Sequence, residues 1–214
     1  MTRLTDIALR HATFLVFALV LHWFGLQAPG FLSPESMANI VKQAAFIGIA
    51  AIGMTFVLLT AGIDLSVGSV IYLAPLIAGF AMRDLGIGVG GGLVVAVVSG
   101  AFLGAINAAA IVGLRIIPFI VTLATLFAFR GFGAFLTGSQ QFDFDADMRA
   151  FGLASIGPVP LPIVFFAGLA GLAHVVLTRT AFGRQIYAVG NDPDAARKAG
   201  LPVDWIRARV YVIS

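Results

Sequence analysis

The chain contains no cysteine, which excludes a disulfide framework, a thiolate metal site and a cysteine nucleophile. It is also short of charge. Asp, Glu, Lys and Arg make up 11% of its residues, where about 25% is usual in a globular domain. So few charges cannot solvate a globular surface, which excludes a water-soluble enzyme. Patterns for bond chemistry are missing as well. Gly90, Gly91 and Gly92 are followed by Leu93, so no lysine stands where a phosphate-cradling loop needs one. No HExxH or GxSxG element occurs, and His11, His22 and His174 have no metal-ligand spacing. The expectation is a chain that does no catalysis, with neither metal nor cofactor of its own. A net charge of +3 does not point to nucleic acid, because the basic residues are scattered and form no patch.

What remains is apolar. Hydrophobic residues reach 60% and the mean hydropathy is +1.02. A helix crossing a bilayer needs about 20 largely apolar residues. Residues 12–26, 40–63, 67–82, 85–114, 116–137 and 159–177 are such runs. The chain is then polar over 178–209 and ends on VYVIS, the beginning of another run. None of these runs alternates as a barrel strand does. The expected fold is an all-α polytopic membrane protein of about six complete transmembrane helices plus the start of a seventh. Arg3 and Arg10 precede the first run as in a signal peptide, but no clear small-residue cleavage site follows, so that run is read as a retained span.

Basic residues in short loops set the orientation. With the N-terminus inside, Arg3, Arg10, Arg115, Arg179, Arg184, Arg197, Lys198, Arg207 and Arg209 fall on the cytoplasmic side. Lys42, Arg83 and Arg149 fall outside, in company with Asp143, Asp145 and Asp147, and Arg130 lies within a span from which it can reach the outer surface. Small residues along one stripe, Gly100, Gly104 and Ala108, suit close helix packing.

Four polar features interrupt the apolar runs. Residues 60–69 join two spans; Gly62 and Gly68 permit a break, and Asp64 or Ser66 can cap the following helix. Asp64 is thus either part of a capped turn or a group that acts on a substrate or proton. Asn107 bonds either to another helix or to a polar solute, because a bare amide in lipid is costly. Pro118 suits a helix start; Thr122 and Thr125 share a face and either line a path or bond back to their own helix. The last feature is 181–202. Asp192 reads as an N-cap, Pro193 as the first helical residue and Asp194 as a favourable first-turn charge. Arg197 and Lys198 then sit at the negative end, with Gly200 as the stop. A helix this short gains little from propensity and lacks a continuous apolar face, so a protein partner is expected for it.

Taken in order, residues 53–68 (GMTFVLLTAGIDLSVG), 104–107 (GAIN), 118–125 (PFIVTLAT) with 129–131 (FRG), and 182–190 (FGRQIYAVG) leading to 194–200 (DAARKAG) resemble the membrane subunits of ribose-type ABC importers. The resemblance covers nearly the whole chain and implies one transmembrane permease domain over 1–214, with a cytoplasmic coupling loop at 179–205. It implies a substrate path that includes Asp64, Asn107, Thr122 and Thr125. It also implies contact with an ATPase through Gly183, Arg184, Gly190, Asp192, Pro193, Asp194, Ala195, Ala196 and Gly200. ATP would be held by that cytoplasmic ABC ATPase; the other implied partners are a periplasmic sugar-binding protein, a second permease copy and the bilayer of the bacterial inner membrane. Ala61 and Ala108 stand where such subunits commonly have glycine, and Asp194 where they have Glu. Such subunits also run to roughly 300 residues or more, so the chain reads as truncated at its C-terminal side. The alternatives are an ion-coupled secondary transporter, for which Asp64 is the single membrane acid, and a nonfunctional remnant of a permease.

Overall fold

The computed structural model describes residues 11–214; Arg3 and Arg10, read above as cytoplasmic charges, lie outside the described residues. The chain divides between Ala44 and Ala45 into two compact units. In the first, helix α1 (Ala12–Gln27) ends before a turn in which Gly30 takes φ +80° and the rings of Phe24 and Phe31 lie 5.7 Å apart. Helix α2 (Pro34–Leu59) starts in this unit, with Ser33 accepting the Ser36 amide at 3.2 Å, and runs into the second.

The second unit holds the remaining elements. Helix α3 (Val67–Leu85) is followed by α4 (Val89–Ala108), which passes into a π-helical turn (Ala109–Gly113), and then by α5 (Pro118–Thr137). A short helix α6 (Ala146–Leu153) and a two-stranded antiparallel pair, β1 (Ser155–Ile156) with β2 (Val159–Pro160), precede α7 (Leu161–Arg179). Helices α8 (Ala181–Asn191), α9 (Pro193–Lys198) and α10 (Val203–Ile213) complete the chain. Among the described residues, five helices are long and apolar enough to cross a membrane: Pro34–Leu59, Val67–Leu85, Val89–Gly113, Pro118–Thr137 and Leu161–Arg179. The 16 residues of α1 rise only about 24 Å, short of the roughly 30 Å of hydrocarbon. The architecture is the expected all-α polytopic one.

Lipid tails are as apolar as leucine, so helices associate here through close packing and hydrogen bonds rather than hydrophobic drive. The stripe at Gly100, Gly104 and Ala108 does this within the chain. A Cβ on Gly104 would run into the backbone of Tyr211 and Val212 on α10, and one on Gly100 would touch Ala74 and Val70 on α3 at 3.9 Å. Ala108 is buried in a core with Val57, Ile186, Val189, Ile206 and Val210. Leu73, Leu76, Leu103 and Phe129 form a second core that joins α3, α4 and α5. Outward positions such as Val97 and Phe127 stay exposed at 72% and 67%, as lipid-facing side chains would.

Two features were not evident in the sequence: where the backbone is irregular beyond the break expected at residues 60–69, and where the last helix starts. Pro75, a residue that ordinarily breaks or kinks a helix, lies inside a continuous α3. The irregular backbone falls instead at the turn over 60–66 and at the π-helical turn. The last helix begins at Val203, inside the stretch read as a polar loop. Arg209 is accommodated there by stacking on Trp205, its guanidinium carbon 5.2 Å from the ring centroid, while the opposite side buries Val203, Ile206, Val210 and Tyr211.

Candidate functional site

Helix α2 ends at Leu59 because Ala61 takes φ +55°, a left-handed turn in which the Gly62 amide donates back to the Val57 carbonyl at 3.1 Å. Irregular backbone of this kind is tolerated at membrane depth where protein covers it, and here the polar side chains of the turn are covered. Thr60, Asp64 and Ser66 are all buried. The free carbonyl of Ile63 is approached by the Tyr211 hydroxyl at 3.4 Å, and Thr122 lies 3.5 Å away.

Ser66 is the N-cap residue of α3, but its side chain caps nothing. It donates to Asp64 Oδ1 at 2.6 Å, and the Ser66 amide donates to the same oxygen at 2.9 Å. Asp64 therefore closes an Asx turn just ahead of the helix and does not accept the helix's own amides, a correction to the capping role read for both residues. An Asx turn satisfies an otherwise orphaned donor locally.

From Ser66 the bonds continue across the helices. Asn107 on α4 donates through Nδ2 to Ser66 Oγ at 2.7 Å, and its Oδ1 accepts from Thr125 Oγ1 on α5 at 2.7 Å. Thr125 Oγ1 also sits 3.0 Å from the Val121 carbonyl, and Thr122 donates to the Pro118 carbonyl at 2.9 Å. The line Thr125–Asn107–Ser66–Asp64 thus donates in one direction, toward the carboxylate. Bonds aligned this way polarise one another. Asn107 and Thr122 are fully buried, so the structure brings together all four residues read as path-lining and uses Asn107 to bond other helices. Neither of two cavities of about 580 and 600 Å³ is lined by any of the four. Ser66 belongs to the cluster too, and Tyr211 borders it through the Ile63 carbonyl. Ser66 was legible only as a cap, and nothing in the apolar tail marked Tyr211.

The residues expected from the sequence to meet an ATPase form a second assembly next to the first. Thr180 caps α8 by accepting the Gly183 amide at 3.2 Å. A Cβ on Gly183 would strike the carbonyls of Val176 and Leu177, and one on Gly190 would strike the carbonyl of Leu59. Helix α8 is thereby pressed against the end of α2, one residue before the buried turn. Arg184 is exposed on α8. Asp192 caps α9, accepting the amides of Asp194 and Ala195 at 2.9 Å each, with Pro193 in the first turn. Gly200 takes φ +84°; its amide reaches the Arg197 carbonyl and that of Leu201 the Ala196 carbonyl, both at 3.0 Å. This left-handed stop is the helix end read from the sequence. Ala196 is buried, whereas Asp194 and Ala195 are exposed. Arg197 bonds Asp204 at 3.1 Å and lies 3.6 Å from Asp194; exposed pairs like these fix geometry more than they stabilise.

Helices of membrane length, packed on glycines and tied across a buried break by hydrogen bonds, define a polytopic membrane protein of the helical-bundle class. Residues 36–214 match the model of the branched-chain amino acid transport system / permease component family, and the chain belongs to that family. It is 31% identical over 212 residues to the D-allose transport system permease protein AlsC of Escherichia coli K12, covering 96% of this chain and 64% of the relative. It is 31% identical to the ribose import permease protein RbsC of Haemophilus influenzae, covering 94% of this chain and 64% of the relative. With the ribose import permease protein RbsC of Bacillus subtilis it shares 34% identity over 87% of this chain and 58% of the relative. The chain thus spans 58–64% of the length of these relatives. No solved structure matches it.

Proposed function

We propose that the chain is the membrane-spanning permease portion of an ATP-driven importer of a ribose-like monosaccharide. It works with a cytoplasmic ABC ATPase that holds the ATP, a periplasmic sugar-binding protein and a second permease copy. The N-terminus and the α8–α9 segment face the cytoplasm of a cell whose inner membrane the helices cross. The observation that carries this reading is the backbone contact between Gly190 and Leu59. It gives a push on α9 a rigid route through α8 to the end of α2, and so to the Asp64–Ser66–Asn107–Thr125 cluster. A bonded polar cluster with two alternative arrangements, closed as seen here or opened around a sugar, is the kind of bistable element alternating access requires. Hydroxyl and amide groups that now satisfy one another would exchange those bonds for the hydroxyls of the sugar.

The test is reconstitution of this chain with its ATPase and binding protein. Asp192→Ala combined with Gly200→Val is expected to bring substrate-stimulated ATP hydrolysis down to the basal rate while sugar capture by the binding protein is unchanged. Stimulation that survives the double substitution, or sugar uptake that proceeds without the ATPase, counts against the proposal.

A further inference from the structure

A cavity of about 580 Å³ opens where the π-helical turn and the start of α5 face α9 and α10. Its wall carries three arginines, Arg115, Arg197 and Arg207, against one acid, Asp204. Arg197 is engaged by Asp204 and Asp194. Among the described residues, Arg115 and Arg207 take part in no ion pair. The rest of the wall is Ile111, Val112, Ile116, Ile117 and Pro118. The wall is therefore apolar with a net positive charge, and two of its guanidinium groups are free of ion pairs among the described residues.

Its backbone is unusual as well. Arg115 takes φ +56°, a conformation that costs a residue with a Cβ roughly 1–2 kcal/mol. It does so immediately after a π-helical turn, and strain of this kind gathers at ligand sites. The place is equally telling. Residues 114–117 connect two membrane helices, so they lie at the depth of lipid headgroups. Ile117 on the cavity wall is exposed at 62%, and Leu114 and Phe119, close by in the chain, at 71% and 49%, apolar surface suited to acyl chains.

From this geometry we infer that the cavity is a binding site for an anionic phospholipid, whose phosphate is held by Arg115 and Arg207 while its glycerol and upper acyl region rest on Ile111, Ile116 and Ile117. Guanidinium groups match phosphate oxygens with paired donors, and basic pockets between membrane helices on the cytoplasmic side are suited to anionic headgroups. The inference takes the cytoplasmic side from the orientation proposed above, but its main readout, lipid retention, needs no ATPase. Because Arg197 and Asp204 join α9 to this cavity, bound lipid would brace the segment through which coupling is proposed.

The test is lipid retention by the purified chain in mixed micelles of phosphatidylglycerol and phosphatidylcholine, quantified by native mass spectrometry. The chain is expected to retain phosphatidylglycerol preferentially, and millimolar inorganic phosphate is expected not to displace it. Arg115→Gly removes the charge and relaxes the left-handed backbone, so it is not expected to harm the fold; Arg207→Gln is the second variant. Each is expected to cut the preference about fivefold, and Arg207→Lys to restore part of it. Equal retention of the two lipids, unchanged preference in both variants, or full displacement by inorganic phosphate would overturn the inference. So would variants that keep the lipid preference yet lose binding to the ATPase, since the cavity would then belong to an acidic segment of that partner.

Discussion

At the scale of the residue, the buried polar side chains among the described residues are few, and several of them bond one another around the irregular backbone that follows α2. Asn107 spends both ends of its amide on other helices, and Asp64 spends one oxygen on two donors from Ser66. Ala61 is the residue at odds with its position. It holds φ +55°, a left-handed conformation that disfavours any Cβ. The turn that ends α2 is thus a position better suited to glycine than to alanine. Ala61→Gly is expected to raise stability by about 1 kcal/mol, the relieved strain exceeding the extra freedom glycine gains in the unfolded chain. A thermal unfolding midpoint in detergent that moves upward agrees with this; a downward shift would mean that the turn does not hold Ala61 left-handed.

At the scale of the element, the decisive contacts are between backbones. Helix α8 meets α2 at Gly190, where any side chain would displace the carbonyl of Leu59. Gly190→Val is therefore expected to destabilise the chain by about 1–3 kcal/mol, as overpacking does. Gly168 on α7 is the control, because a Cβ there meets nothing within 4 Å; Gly168→Ala is expected to stabilise by about 0.5–1 kcal/mol through helix propensity alone. Denaturation of the two variants side by side separates a packing requirement from a general intolerance of larger residues. This contrast also marks what was legible in the sequence. The ends of α9 were readable because caps are local: Asp192, Pro193 and Gly200 carry their signals within a few positions. Asp64, Asn107, Thr122 and Thr125 were readable singly, as polar groups that are costly in an apolar run. Their mutual bonding was not, since Asn107 and Ser66 are 41 positions apart and Tyr211 and Ile63 are 148 apart. Such pairs are set by how three or four helices cross, which no periodicity encodes. The start of α10 was missed for the opposite reason. Arg207 and Arg209 interrupt its apolar pattern, although Arg207 borders the open cavity and Arg209 rests on Trp205.

At the scale of the molecule, the structure sorts charge between two ends of the second unit. Arg83 lies over the rings of Phe80 and Phe142, its guanidinium carbon 4.7 and 5.9 Å from their centroids, and shares a cavity wall with Asp143 and Asp145. That end, where α3 finishes and the segment after α5 folds back, is mixed to acidic. The opposite end of α3, α4 and α5 is where Arg115, Arg197 and Arg207 converge, with Arg184 and Lys198 on the adjoining helices α8 and α9. Basic residues in short loops are retained on the cytoplasmic side during insertion, so the α8–α9 end should face the cytoplasm and the Asp143–Asp145 end the outside. The absence of cysteine makes this directly measurable, because every introduced thiol is the sole one. Lys198→Cys and Asp147→Cys are both exposed surface positions. In intact cells a membrane-impermeant maleimide is expected to label the Asp147 variant and to leave the Lys198 variant unlabelled until the membrane is opened. Labelling of Lys198→Cys in intact cells would invert the orientation, and an inverted α8–α9 segment could not meet a cytoplasmic ATPase at all.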